Sequence, residues 1–100
     1  MANDGIIANL NKAFENRIRL GIMSILMVND VVDFKQLKEM LQTTDGNIAS
    51  HINTLEKKGY VAITKQFIDK KPNTSYSATK AGKNAFKSHL NALEKLIKHK

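Results

Sequence analysis

A mainly α-helical fold with one small β-hairpin is predicted by three features of this 100-residue chain. Apolar residues recur at helical spacing through most of it, that spacing gives way to strict alternation after Gly59, and helix-start or helix-stop residues stand where the pattern changes. The length suits one domain over 1–100, and 42% hydrophobic with 25% charged residues is an ordinary globular balance.

The elements follow in order. Residues 1–5 read as a loose tail. Ile6, Ile7, Leu10 and Phe14 fall at helical spacing and predict a short first helix. Asn16 can cap a second helix, whose face of Ile18, Ile22, Ile25 and Leu26 extends to Val28 before Asn29-Asp30 ends it. Asp33 with Gln36 forms a capping box for a helix from Phe34 to about Leu41, which would bury Phe34, Leu37, Met40 and Leu41. Thr43 or Thr44 can cap the next helix, from Asp45 to about Lys58, which stops at Gly59.

Beyond Gly59, Val61, Ile63, Lys65 and Phe67 alternate with Tyr60, Ala62, Thr64 and Gln66, the period of a strand. The run 69–73 (Asp-Lys-Lys-Pro-Asn) reads as a polar turn, with Thr74–Ser77 as the returning strand. Thr79 caps a last helix of roughly 28 Å, with a stripe of Phe86, Leu90, Leu93, Leu96 and Ile97. Two short helices joined by a tight turn and followed by a basic ribbon describe a winged helix-turn-helix: the helix-turn-helix at 34–58, the wing at 60–79, a terminal helix at 80–98.

Charge separates along the chain. Residues 1–56 carry five Lys/Arg and seven Asp/Glu, whereas residues 57–100 carry eleven lysines against Asp69 and Glu94. A basic half on a near-neutral half is the footprint of a polyanion-binding face, with a merely solubilising surface as the alternative.

The helix beginning at Asp45 carries the chemistry. Ile48, Ile52 and Leu55 occupy one side, each contributing roughly 1.5–3 kcal/mol when buried. The other side holds Gly46, Asn47, Ser50, Asn53, Thr54 and Lys57, short hydrogen-bonding residues with one lysine. A solvated helix face usually carries Glu–Lys pairs, and Asn, Ser and Thr are poor helix formers. They do suit a major groove: Asn can read adenine with two hydrogen bonds, and Ser and Thr reach several base edges. Thr43 and Thr44 add hydroxyls at a helix N-terminus, where free N–H groups attract phosphate, although Asp45 opposes an anion there. Lys65, Lys70 and Lys71 line the ribbon, with Asn73 and Thr74 expected at its tip, placed to neutralise phosphates or follow the minor groove. An idle polar face and a plain solvated turn are the competing readings.

The run from Asp33-Phe34 through Leu41-Gln42-Thr43-Thr44-Asp45-Gly46-Asn47-Ile48-Ala49-Ser50-His51-Ile52 to Leu55-Glu56-Lys57-Lys58-Gly59-Tyr60-Val61 resembles the compact winged-helix transcriptional regulators related to the MarR and ArsR groups. Lys65-Gln66-Phe67, Lys71-Pro72-Asn73-Thr74 and Thr79-Lys80-Ala81-Gly82-Lys83 continue the likeness, which spans about Arg17 to Leu93. The resemblance implies a homodimer, a recognition helix at Asp45–Lys58 and regulation of nearby genes. It places Thr44, Asn47, Ser50, His51 and Thr54 toward DNA, and Lys71 and Thr74 at the wing tip. The chain departs from it at Ala78, where a larger aliphatic residue is usual, and at Lys80, where proline is common.

Other chemistries find little support. The chain has no cysteine, no apolar run of membrane-spanning length and no signal-peptide pattern at its start, so a cytoplasmic location is expected. No nucleophile elbow, phosphate-binding glycine loop or zinc-protease motif occurs, so no enzymatic activity and no cofactor are expected. His51 is either a phosphate donor or a half-buried structural residue, and the spacing of His89 to His99, with Lys87 where a carboxylate would be wanted, argues against a metal. The apolar stripe of the last helix needs a partner. A dimer seam of Ile6, Ile7, Leu10, Phe14, Phe86, Leu90, Leu93 and Ile97 is expected, making the two terminal helices dimerisation helices. It would set two recognition helices about 34 Å apart. The expected function is sequence-specific binding of double-stranded DNA by a repressor. The alternative is a winged-helix protein-interaction module, and the sequence identifies no effector.

Overall fold

The computed structural model describes residue 5 and residues 7–98. Ile6 and His99 therefore lie outside the described residues, as does most of the expected tail. Helix α1 (Arg17–Val28) is followed by strand β1 (Val32–Asp33), then α2 (Phe34–Leu41) and α3 (Asp45–Lys57). Strands β2 (Val61–Ile68) and β3 (Lys71–Ala78) form the wing, and α4 (Lys80–Lys98) closes the chain.

The expected helix boundaries coincide with the capping chemistry. Asn16 accepts hydrogen bonds from the N–H groups of Ile18 and Arg19, and Asp33 and Gln36 form the reciprocal capping box. Thr44, not Thr43, caps α3 by accepting from the Asn47 N–H. Gly59, at φ 80°, ends that helix: its N–H donates to the Glu56 carbonyl and the Tyr60 N–H to the Leu55 carbonyl. That pair of bonds satisfies two carbonyls that would otherwise be left open in the last turn.

Three elements differ from expectation. The first apolar segment forms only a 3-10 turn, Lys12–Phe14, preceded by turns. The Asn11 side chain caps that turn through the Ala13 N–H, while the Asn11 N–H donates to the buried His89 Nδ1 at 2.9 Å. A regular helix through Asn11 would have to give up that bond to α4. Secondly, β1 pairs Val32 with Tyr76 and Asp33 with Ser75, completing an antiparallel sheet of order β1-β3-β2. Thirdly, the wing lies within its expected bounds but its strands are longer and its turn shorter. Its turn is Asp69-Lys70 alone, both residues having positive φ, as a tight two-residue hairpin turn requires. Asn73 and Thr74 are therefore not at the tip; they lie within β3, opposite Gln66 and Lys65. Pro72 is tolerated because β1 does not extend that far, leaving β3 with one neighbour there.

The core gathers Phe14, Ile22, Met23, Leu26, Val32, Leu37, Ile48, Ile52, Leu55, Val61, Tyr76 and Phe86. Ala78, smaller than the family usually has there, still packs against this core at the wing root. Met40, expected inside, is exposed. Phe14 and Phe86, expected in the seam, are buried within the chain, where they meet edge-to-face with centroids 5.0 Å apart. The stripe of α4 thus divides. Gly82, Phe86, His89 and Ala92 face inward, and Leu90, Leu93 and Ile97 remain exposed.

The wing root is joined to α4 through Thr79. Its N–H donates to the Tyr60 carbonyl (3.0 Å), its hydroxyl donates to the Gly59 carbonyl (2.6 Å), and the same oxygen accepts from the Gly82 N–H (2.9 Å).

Candidate nucleic-acid interface

Burial of Ile48, Ile52 and Leu55 fixes the rotation of α3, so Asn47, Ser50, Asn53 and Lys57 face solvent. At the N-terminal turn of α3 the Asn47 amide donates to the Thr43 hydroxyl at 2.9 Å. That bond sets the Asn47 side chain in one orientation, and its amide oxygen keeps its capacity to accept. The Thr54 hydroxyl donates to the Ser50 carbonyl within the helix, so Thr54 offers oxygen lone pairs rather than a free donor.

Asp45, which would repel an anion at this helix end, is paired with Lys38 of α2 at 2.7 Å. Both groups are exposed, so the bridge adds little stability. Its effect is local: a cation from α2 offsets the acidic charge beside the open N–H groups.

His51 is half-buried on the flank of α3 and receives the Arg19 guanidinium at Nδ1, 3.0 Å away. Arg19 is in turn held through Nε by the Ala13 carbonyl at 2.7 Å. Burial, and then the Arg19 charge, hold the His51 pKa below its ordinary 6.5. With Nδ1 accepting, the neutral ring carries its proton on Nε2. His51 therefore ties α3 to α1 and keeps Nε2–H as a donor. A hollow beside it, about 570 Å³, includes Arg17, Gln42, Thr43 and Asn47 in its lining.

A second groove, of about 500 Å³, separates α3 from the wing and is lined by Asn53 and Glu56 on one side and by Lys65 and Thr74 on the other. Tyr76 lies at its floor, where burial and then the Asp33 carboxylate push the phenol pKa up, keeping the hydroxyl protonated. Lys65 is exposed at its edge, and Lys70 and Lys71 are exposed along the hairpin beyond it. The structure thus brings Thr43, Thr44, Asn47, Ser50 and His51 together at the start of α3. It brings Asn53, Lys65 and Thr74 together at the groove. Lys70 and Lys71 stand further out.

Sequence reasoning missed Arg17 and Arg19, which α1 delivers to the rim of α3. Their only signal was position in the second helix, and nothing local says which face of α1 meets α3. Among the described residues, no group of three or more His, Cys, Asp or Glu side chains is gathered as a metal would need. No described helix is long and apolar enough to cross a membrane.

A family model for a winged helix DNA-binding domain matches residues 18–97, from α1 through almost all of α4. The chain belongs to the winged helix DNA-binding domain family. This winged helix is 33% identical over 88 residues to the uncharacterized protein MJ0432 of Methanocaldococcus jannaschii, covering 88% of this chain and 96% of that protein. Among solved structures it is similar to a transcriptional regulator homologue from Pyrococcus horikoshii, at TM-score 0.83 and 33% identity, over 93% of this chain and 90% of the other. Diamide-treated YodB of Bacillus subtilis shares the fold at TM-score 0.78 and 16% identity, over 87% and 85% of the two chains. The fold and family of this winged helix are those of DNA-binding transcriptional regulators.

Proposed function

We propose that this winged helix binds duplex DNA sequence-specifically as a homodimer and acts as a repressor by occluding promoter access. In this reading α3 enters the major groove and the wing follows the flanking backbone. The observation that carries it is the solvent face of α3. Asn47, Ser50 and Asn53 present short uncharged hydrogen-bonding groups, and in this reading the exposed Lys65, Lys70 and Lys71 of the wing neutralise flanking phosphates. Asn47 and Ser50 select bases, Thr43, Thr44 and His51 engage the backbone at the helix start, and Lys57 adds charge at its end. Dimerisation is supported by the exposed stripe of Leu90 (44% exposed), Leu93 (38%) and Ile97 (83%), with Ile7 also exposed on the N-terminal segment and Leu10 half-buried there.

Selection of bound sites from random duplex, followed by salt titration of variants, tests the assignment. Lys71→Ala, Lys70→Ala and Lys65→Ala are each expected to lower the log–log salt slope by about 0.9 without changing the preferred site. Asn47→Ala and Ser50→Ala are expected to leave the slope alone and cost roughly 1–3 kcal/mol on the preferred site only. A wild-type protein that binds no duplex at low salt would refute the reading and return the interaction-module alternative.

A further inference from the structure

Three of the four phenylalanines pack inward: Phe14 and Phe86 are in the core and Phe34 lies against it. Phe67 does not. It is 76% exposed near the end of β2, opposite Pro72 of β3. Facing residues of an antiparallel pair share one side of the sheet. The pairs Ile63–Tyr76, Lys65–Thr74 and Phe67–Pro72 therefore form a single row. The first pair lines the groove against α3, and the last lies four residues outward, about 13 Å farther along the wing.

The surroundings of this ring indicate its partner. Between residues 65 and 71 stand three lysines and one acid: Lys65 on the same row, Lys70 in the turn, Lys71 beside it, and Asp69. An apolar plate framed by cations suits a cleft with anionic rims and an apolar, stacked interior. Two such tips from separate copies would repel each other. The tip is also continuous with the α3 interface. A helix seated in a major groove about 12 Å wide leaves a wing of this reach over the adjoining minor groove. Pro72 has a fixed φ and stiffens the strand behind the ring.

We propose that Phe67, backed by Pro72, is an apolar wedge that enters the minor groove flanking the α3 site, parts one base step and bends the duplex. This rests on the DNA-binding reading above and adds to it a source of specificity that involves no base-edge hydrogen bond. Unstacking is easiest at pyrimidine–purine steps. Selected sites therefore carry TA or CA/TG at a fixed distance outside the sequence read by α3.

The test uses the full chain and a duplex recovered from a random pool, labelled at its ends for energy transfer and carrying 2-aminopurine at the flanking step. Wild type is expected to shorten the end-to-end distance and brighten the 2-aminopurine. Phe67→Ala is expected to bind roughly tenfold more weakly, with the bend and the brightening lost. Its salt slope stays unchanged, because no phosphate contact is removed. Phe67→Leu keeps part of the bend, since aliphatic side chains also wedge base steps. Lys71→Ala gives the reverse pattern, a lower slope with the bend retained. If Phe67→Ala matches wild type in bend and emission while both bind with steep salt dependence, the wedge is overturned and the DNA-binding reading stands. If Phe67→Ala instead alters only the association state of the free protein, the ring serves a protein contact and the wedge is likewise overturned. Failure of wild type to bind any duplex removes both.

Discussion

Replacing Gly82 with alanine sets two opposing effects against each other at one position. Alanine is the better helix former by about 1 kcal/mol, so propensity alone predicts stabilisation. A Cβ on Gly82, however, would press on the Tyr60 carbonyl oxygen, 2.8 Å from its carbon and 2.9 Å from its Cα. Real Cβ atoms do not approach so closely, and the obstructing atoms are backbone, which cannot rotate aside. Relief requires α4 to lift away from the wing root, straining the Thr79–Tyr60 and Gly82–Thr79 hydrogen bonds. Overpacking of this kind costs about 1–3 kcal/mol, and a backbone obstruction belongs at the upper end. Set against the propensity gain, the net loss is about 2 kcal/mol. For a domain of this size that lowers the melting temperature by roughly 8–16 °C. Thermal unfolding followed by circular dichroism measures it, at one fixed protein concentration because association would shift the midpoint. Gly46→Ala is the control: nothing lies within 4 Å of a Cβ there, so its melting temperature is expected to rise. A Gly82→Ala protein melting at or above wild type would refute the close approach of α4 to Tyr60.

Three further outcomes are expected. Lys70→Gly relieves a left-handed non-glycine residue in the wing turn and should stabilise the fold by about 1 kcal/mol while lowering the DNA salt slope by about 0.9; a loss of stability would contradict the turn geometry. His51 has a folded pKa below 6.5, so the unfolded chain takes up the proton more readily. The stability that neutral His51 contributes is complete above pH 6.5 and is lost as pH falls from there toward the depressed folded value. Chemical denaturation between about pH 7 and about pH 5 should show a smaller loss for His51→Gln, which can still accept from Arg19 but does not titrate; equal losses would remove His51 as the cause. Leu93→Glu with Ile97→Glu should turn a dimer into a folded monomer by sedimentation at micromolar concentration, and an unchanged association state would exclude the α4 stripe from the seam.

The parts legible in the sequence are those determined by neighbours in the chain. Asn16, Asp33 with Gln36, Thr44, Gly59 and Thr79 each end or begin a helix through bonds to residues within a few positions. The polar face of α3 was readable because Ile48, Ile52 and Leu55 alone fix its rotation. What the sequence concealed depends on distant partners. Two residues of β1 carry no signal of their own and exist by pairing with Ser75 and Tyr76. The segment before α1 has helical spacing, yet its geometry is governed by a bond from Asn11 to His89, 78 residues away. Phe86 shares a spacing with the exposed Leu90, Leu93 and Ile97, and its contact with the distant Phe14 helps mark the inward side of α4. Pro72-Asn73 reads as turn chemistry, whereas Asp69-Lys70 lacks the glycine that would mark it.

The contact at Gly82 also has a mechanical meaning. Eight residues of β2 extend about 26 Å from the point where Tyr60, Thr79 and Gly82 meet, so the hairpin is a long arm mounted on a tight pivot. Because that pivot leaves no slack, a reorientation of α4 by about 5° would carry the far end of the arm through about 2 Å, comparable to the difference between a formed and a broken hydrogen bond. A change in the angle at which α4 meets the wing root is thereby geared to the tip of the wing.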